Sequence, residues 1–356
     1  MKKIHSMMQQ ALEKKVFPGG VLLAAGEGEI RFFRAYGFAN IYTGRKMKKD
    51  TVFDLASLTK PLATTLVFMK LADSGKMDTE QTLKNCLPES AGSDKAKIRI
   101  RHLLTHTAAY PAHRPYYLQL DSFRPETRKS ALRKMLLREK LPGPPETTTL
   151  YSDLGFMLLE WIAEKAVRLS PDRFLAENIY GPLGISSLFF QSGDAVRKGD
   201  FAATEFCPWR KRLLTGEVHD ENAGAVGGAA GHAGLFGTAE SVFHLTEHLL
   251  ECFGNFHPSP LFSADTVRYF LQPFGDTGRS LGFDRPAPRG ASCGDYFSEN
   301  TVGHLGFTGT SFWMDLERSS VVILLTNRVH PFRENIRIRK FRPSLHNAVM
   351  ETLFLK

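Results

Sequence analysis

The sequence predicts an α+β fold: one antiparallel sheet flanked by helices and built from both chain ends, with an all-helical lobe inserted between them. Three observations predict it. Near the N-terminus, residues 20–25 (Gly-Val-Leu-Leu-Ala-Ala) and 30–36 (Ile-Arg-Phe-Phe-Arg-Ala-Tyr) flank Gly26-Glu27-Gly28-Glu29. Two apolar runs around a glycine-rich turn read as a hairpin. Near the C-terminus, residues 307–315 and 320–326 (Ser-Val-Val-Ile-Leu-Leu-Thr) flank Leu316-Glu317-Arg318-Ser319, a second hairpin. Between them the apolar spacing is helical, broken by proline and glycine. Strands at both ends with helices between are met by one sheet with a helical insertion.

The elements follow in chain order. Residues 1–16 form an amphipathic helix rather than a signal peptide, because lysines are followed by Met-Met-Gln-Gln and not by an apolar run. A helix over 60–74 ends at Gly75, and 124–140 is a surface helix with Leu132, Met135 and Leu136 on its buried stripe. Residues 153–168 form a strongly apolar helix, and 172–178 precede the turn Gly181-Pro182-Leu183-Gly184. A last helix runs from 343 to 355. The division expected is 1–78 with 225–356 as the sheet lobe and 79–224 as the mainly helical lobe, with the active site between them.

Composition limits the function classes. The chain has 356 residues, 42% hydrophobic and 23% charged, the balance of a soluble globular protein with a large core. No run approaches the roughly 18 to 20 apolar residues of a membrane span. Cys86, Cys207, Cys252 and Cys293 are far apart with no C-x-x-C, which fits free thiols and speaks against a zinc ribbon or disulfide framework. With the missing signal peptide, this leads us to expect a cytoplasmic protein. The net charge of +9 is concentrated partly in 124–140 and 333–342, read here as solvated helix faces; no nucleic-acid partner is expected.

Three short motifs carry the chemistry. In Ser57-Leu58-Thr59-Lys60, residues three apart share a helix face, so the hydroxyl and amine can meet. A lysine among apolar neighbours has its charged form disfavoured and could accept the serine proton. Ser57 near a helix N-terminus would also meet unpaired N–H groups, and Pro61 keeps that terminus close. Alone, the pair is matched by a capping serine and a surface lysine. Tyr151-Ser152-Asp153 opens the apolar helix, and Tyr151 could pass a proton if cations lowered its pKa from about 10; a buried tyrosine beside a capping aspartate fits equally. In His304-Leu305-Gly306-Phe307-Thr308-Gly309-Thr310, glycines at a strand edge let a substrate backbone approach. The plain alternative is a histidine before a glycine-kinked strand.

Order and company decide. The sequence resembles the family of class C β-lactamases, D-alanyl-D-alanine carboxypeptidases and related esterases, whose motifs S-x-x-K, Y-x-N and K-T-G occur in that order. Ser57 and Lys60 match the first, Tyr151 heads the second, and His304-Leu305-Gly306 stands where the third belongs. The stretches 101–107, 181–184 and 228–236 look like this family too, and the resemblance spans roughly residues 18 to 330. It implies a serine hydrolase working through an acyl-enzyme on Ser57, with Lys60 and Tyr151 moving the proton and the N–H groups of Ser57 and Phe307 as oxyanion hole. Asp153, His304 and Gly306 would contact substrate. It implies no cofactor.

The departures narrow the activity. Asp153 replaces an asparagine, so an acceptor-only carboxylate stands where an amide could donate, and it favours the Lys60 ammonium. His304 and Leu305 replace the lysine and threonine that hold the substrate carboxylate in penicillin-recognising members. Small esters, amides or D-residue peptides are the expected substrates, with weak β-lactam turnover. The alternative is a catalytically silent relative that binds peptidoglycan fragments or a protein. His102 and His106 lack a zincin glutamate between them, so no metal site is expected. Residues 217–222 with His232 read as a loop near the cleft, and Trp161, Trp209 and Trp313 as packing residues.

Overall fold

A computed structural model of the protein describes residues 1–192, 196–256 and 259–355. The N-terminal part gives strands β1 (Gly19–Gly26), β2 (Glu29–Asn40) and β3 (Arg45–Lys46). The middle gives β4 (Phe53–Asp54), β5 (Leu188–Phe190), β6 (Ala203–Cys207), β7 (Arg212–Thr215) and β8 (Leu235–Gly237). The C-terminal part gives β9 (Arg279–Ser280), β10 (Phe283–Asp284), β11 (Thr301–Leu305), β12 (Ser311–Asp315) and β13 (Ser320–Thr326). Eight of these form one antiparallel sheet in the order β3-β2-β1-β13-β12-β11-β10-β9, so both chain ends meet at its centre. There β1 pairs with β13 from Gly20 against Thr326 to Gly26 against Ser320. Strands β5, β6 and β7, in the stretch read as helical, are too short for periodicity to reveal.

Both sheet faces are covered, which is why β1 and β13 are apolar at successive positions rather than alternate ones. On one face, Leu22, Ala24, Val322 and Leu324 pack against α1 (Lys2–Glu13) and the C-terminal helix. On the other, Val21, Leu23, Ile323 and Leu325 join the main core. That core takes in α2 (Thr65–Asp73), α3 (Pro125–Arg138), α4 (Asp153–Val167), α5 (Ala239–Gly254) and α6 (Ala264–Leu271). Each large side chain so buried contributes roughly 1.5–3 kcal/mol.

Three boundaries differ from the sequence expectation. The last helix, α7 (Ile338–Leu353), starts five residues before Pro343. Ile338 and Leu345 both sit in the core over the sheet, and this burial carries the helix through a proline that lacks one N–H. Residues 307–310 are a turn, not strand, because Gly309 has φ +106° and its site is closed by Thr326 and Arg328. The stretch read as a helix over 60–74 begins with a wide turn, Lys60–Thr64, before α2. No helix among the described residues is long and apolar enough to cross a membrane.

Candidate active site

Ser57 lies on a tight turn, Ala56–Leu58, between β4 and the wide turn that carries Lys60. Side-chain hydrogen bonds hold that turn from several directions. Asp54 Oδ1 accepts the Ala56 N–H at 2.8 Å, and Asp54 Oδ2 accepts the His219 N–H at 2.6 Å. Thr59 Oγ1 donates to the Ala56 carbonyl and accepts from Leu235 N–H. From the β11–β12 turn, Thr308 and Thr310 donate to the carbonyls of Asp54 and Leu55, at 2.8 and 3.1 Å. So held, Ala56 keeps φ +48°, a strained value for a residue with a side chain, directly before the serine.

Gly306 lines the cleft, but the space left by its absent side chain is filled by Thr310 and by the Leu55 carbonyl, 2.7 Å from where a Cβ would stand. The glycine thus serves the seating of the serine turn against β11. Gly306→Ala should displace that turn, lowering both thermal stability and turnover. An alanine variant with parental melting and kinetics would show the contact is slack.

Lys60 is completely buried. Its three donors have three acceptors: Ser57 Oγ at 3.2 Å, Asp153 Oδ1 at 2.7 Å and the His232 carbonyl at 3.2 Å. Burial opposes the charge, but the Asp153 carboxylate and the Tyr151 phenol outweigh it and hold Lys60 above the ordinary lysine value. Reciprocally, burial pushes Asp153 up, and the Lys60 charge, with His113 Nδ1 3.6 Å from its other oxygen, holds it well below the usual carboxylate range. The opposing carboxylate anticipated from the sequence is therefore in contact.

Tyr151 also packs against this pair, its ring 4.8 Å from Lys60 Nζ. The expected lowering of its pKa does not occur. Burial raises it, Asp153 adds to that, and the neighbouring cation is too little to reverse the sign. Tyr151 is a neutral phenol. Its turn is fixed by His106, whose Nδ1 accepts the Ser152 N–H at 3.0 Å and whose ring lies 4.5 Å from that of Tyr151. Burial, together with Arg279 and Lys60, keeps His106 neutral. His102 accepts the Arg99 N–H at 3.1 Å, so the two histidines four apart serve the backbone.

The cleft around Ser57 has two unlike sides, both reaching Ser57, Tyr151 and Phe307. One, about 360 Å³, is acidic and histidine-rich, with Asp153, Asp220, Glu221, His113, His219 and His232. There Asp220 pairs with His232 at 2.9 Å. Glu205 and Glu221 both pair with Arg333, a cation already seated where these carboxylates and Cys207 converge. The other side, about 310 Å³, holds His304, Leu305 and Gly306 with Arg328, Arg339 and Arg342. Burial pushes His304 down to about 4, so it is neutral, and its Nδ1 lies 2.9 Å from the Leu305 carbonyl. Neither Ser57 nor Phe307 gives its backbone N–H to a backbone carbonyl among the described residues.

Sequence reasoning missed His113, Asp54, Thr308 and Thr310, and it took the basic stretch 333–342 for solvated surface. Arg342 is in fact buried and Arg333 is ion-paired. On α3 the expected apolar stripe is present, with Leu132 and Leu136 buried, but Lys129 and Arg133 are half-buried and ion-paired to Glu164 of α4 rather than solvated. Trp161 and Trp313 are core residues, and Trp209 packs partly buried on Tyr117.

Two of these acids also make stability pH-dependent. Burial works against both, yet Arg333 and His219 bring Glu205 down to about 2, and His232 brings Asp220 down to about 2. Their folded values lie below the unfolded ones, so the contribution is full above about pH 4.5 and is lost as pH falls toward 2. Each accounts for on the order of 2–3 kcal/mol. Melting temperature measured from pH 6 to 2.5 should fall, with the steepest part below 4.5. A flat profile in parent and Glu205→Gln alike would contradict the pairing.

The profile of the Beta-lactamase family matches residues 4–343. An N-acetylmuramyl-L-alanine amidase of Bacillus subtilis (strain 168) is 31% identical, over 93% of this chain and 81% of its own. A protein of Escherichia coli (strain K12) that carries the provisional name D-alanyl-D-alanine carboxypeptidase is 31% identical, over 88% of this chain and 79% of its own. Among solved structures, EstCE1, a hydrolase with promiscuous acyltransferase activity, superposes with TM-score 0.73 at 22% identity, covering 96% of this chain and 97% of the other. A class C β-lactamase superposes with TM-score 0.75 at 16% identity, covering 98% of each.

Proposed function

Since the chain belongs to the β-lactamase family of hydrolases, we propose that it forms an acyl-enzyme on Ser57 and cleaves small esters, amides or D-residue peptides, with β-lactams turned over weakly. The observation that carries this reading is Lys60 Nζ, buried and 3.2 Å from Ser57 Oγ, with Asp153 at its other side. A buried amine at hydrogen-bond distance is the arrangement a serine needs for activation.

The substrate carbonyl oxygen lies toward the N–H groups of Ser57 and Phe307, which stabilise the charge that develops on it. The active form is the one in which Lys60 has released a proton to solvent. Ser57 Oγ bonds to the carbonyl carbon and its proton passes to the Lys60 amine. When the carbon–oxygen or carbon–nitrogen bond breaks, the departing group takes a proton from the Tyr151 phenol, which Lys60 replenishes. Water then attacks the acyl carbon by the same route and frees Ser57. A neutral phenol suits this relay, since it carries the proton it must give.

Strand β11 itself offers a substrate carboxylate only a neutral imidazole and a leucine, so the cations on that side of the cleft are Arg328, Arg339 and Arg342, and β-lactam turnover that is weak rather than absent fits this lining. Relatives named as an amidase and a carboxypeptidase support amide or short peptide substrates. The test is intact mass after incubation with a fluorophosphonate and with penicillin. One covalent addition, absent in Ser57→Ala, is expected. No addition with any acyl probe would overturn the hydrolase reading and favour a binding protein.

A further inference from the structure

Four large apolar side chains stand in water together on one part of the surface. Ile41, Tyr42, Phe332 and Ile336 are 41 to 61% exposed and come from two segments far apart in the chain. Polar contacts fasten those segments to each other. The Ile41 N–H donates to His330 Nε2 at 3.1 Å, and the Tyr42 ring meets the His330 ring edge-on, with centroids 5.5 Å apart. Asn335 Nδ2 donates to the carbonyls of Lys15 and Val16, each at 3.1 Å, which adds the chain just after α1. Between these segments lies a hollow of about 400 Å³ whose walls include Leu12, Phe17, Pro18, Phe38 and Ile41. A second hollow continues past His330 and Pro331 to Phe332 and Ile336. Ile336 also lines the cleft of Ser57, so the patch adjoins the mouth of that cleft. Apolar side chains gathered on a fixed scaffold, rather than scattered singly, mark a surface that meets a partner.

Cations surround the same patch. Lys15 lines both hollows, and Arg337 lines the second, with its Nη1 on the Lys14 carbonyl at 3.0 Å. Lys46 Nζ sits 3.8 Å from the centre of the Phe38 ring, on the wall of the first. Among the described residues, the only acid in either lining is Glu334. A second copy docked here through a two-fold axis would set these cations against their own kind. A nucleic acid would answer the charge but leave Ile41 and Ile336 in water. An anionic bilayer answers both features. The apolar side chains enter the boundary between headgroups and acyl chains, while the lysine and arginine stems lie along them with their charges among the headgroups.

We propose that this patch docks the protein on an anionic lipid bilayer and holds the Ser57 cleft beside the membrane surface. The proposal goes beyond the hydrolase reading and stands whether or not Ser57 is acylated.

Co-sedimentation with vesicles tests it. Vesicles of about one third phosphatidylglycerol in phosphatidylcholine are compared with pure phosphatidylcholine, at about 0.1 M salt, where charges are screened beyond about 10 Å. The full chain should bind the mixed vesicles at least about tenfold more tightly than the neutral ones. Phe332→Ser with Tyr42→Ser should weaken that binding at least about tenfold. Lys15→Gln with Lys46→Gln should weaken it at least about fivefold. The same loss of charge at two exposed positions of α3, Lys134→Gln with Arg138→Gln, should change it less than about twofold. Melting curves check that each variant is folded, and the apolar and charge variants test the patch independently. No binding to mixed vesicles, equal binding to both kinds, or patch variants that bind like the parent would overturn the proposal. So would equal losses from the patch and α3 charge variants, which would trace the attraction to the net charge of +9 alone. A dimer in sedimentation velocity that Phe332→Ser dissociates would overturn it too, assigning the patch to a second copy.

Discussion

Ser57→Ala lowers kcat/KM for ester and amide substrates by at least on the order of 10⁴-fold, while thermal unfolding stays close to that of the parent. Both halves of this expectation come from the surroundings of Lys60. Without the serine hydroxyl no atom is left to bond to the acyl carbon, and water must react with only the oxyanion donors to help it. Yet Lys60 keeps Asp153 and the His232 carbonyl as acceptors, so no buried charge is orphaned. A substitution at Lys60 is a poorer test, because it leaves Asp153 without its cation and costs about 3–5 kcal/mol of stability besides any chemistry. Initial rates on a chromogenic ester, paired with a melting curve, make the check. Turnover within about tenfold of the parent would place the nucleophile elsewhere.

Asp153→Asn moves the base limb of the pH–rate profile toward acid by at least about one pH unit. The sign follows from the contact between the two residues. With Asp153 ionised, Lys60 is held above its ordinary value, and the neutral amine that accepts the Ser57 proton is scarce at pH 7. An asparagine removes the carboxylate charge but not the burial, and burial alone disfavours the ammonium. For every pH unit the limb moves, about tenfold more of the lysine is neutral at a fixed pH below it, and the rate at pH 7 rises accordingly. Joined to Leu305→Thr, which adds a hydroxyl on β11, the change should raise nitrocefin hydrolysis at pH 7. A limb that stays put or moves to higher pH would show that Lys60 is not the base.

Those two substitutions concern residues whose meaning was legible in the sequence, and the reason is local. Ser57 and Lys60 are three apart, so a single turn brings them together whatever the rest of the chain does. The two hairpins were legible because a turn fixes the pairing of its own flanks, as with β1 and β2 around residues 27–28. Features that depend on distant docking were not. Arg342 reads as one more charge in a basic stretch, and only the seating of α7 over the sheet buries it beside β11. Thr308 and Thr310 look like turn residues until the serine turn, some 250 residues earlier in the chain, is placed under their hydroxyls. His113 lies outside any periodic pattern, so nothing local ties it to Asp153. The direction in which the Tyr151 pKa moves escaped for the same reason, because burial is a property of the assembled site.

The pairing of β1 with β13 has a consequence for how the molecule comes into being. Its central contacts join residue 20 to residue 326 and residue 26 to residue 320, so the loop closed is nearly the whole chain and its entropy must be lost before the pairing stabilises anything. During synthesis the apolar β1 emerges early and waits, with no partner on that edge, until the last strands have been made. Such an interval favours aggregation or a holding chaperone. The serine turn is tied to the β11–β12 turn by Thr308 and Thr310, so the reactive geometry is also among the last things to form. Acylation of Ser57 would then serve as a clock for completed folding, appearing only once the late strands have docked.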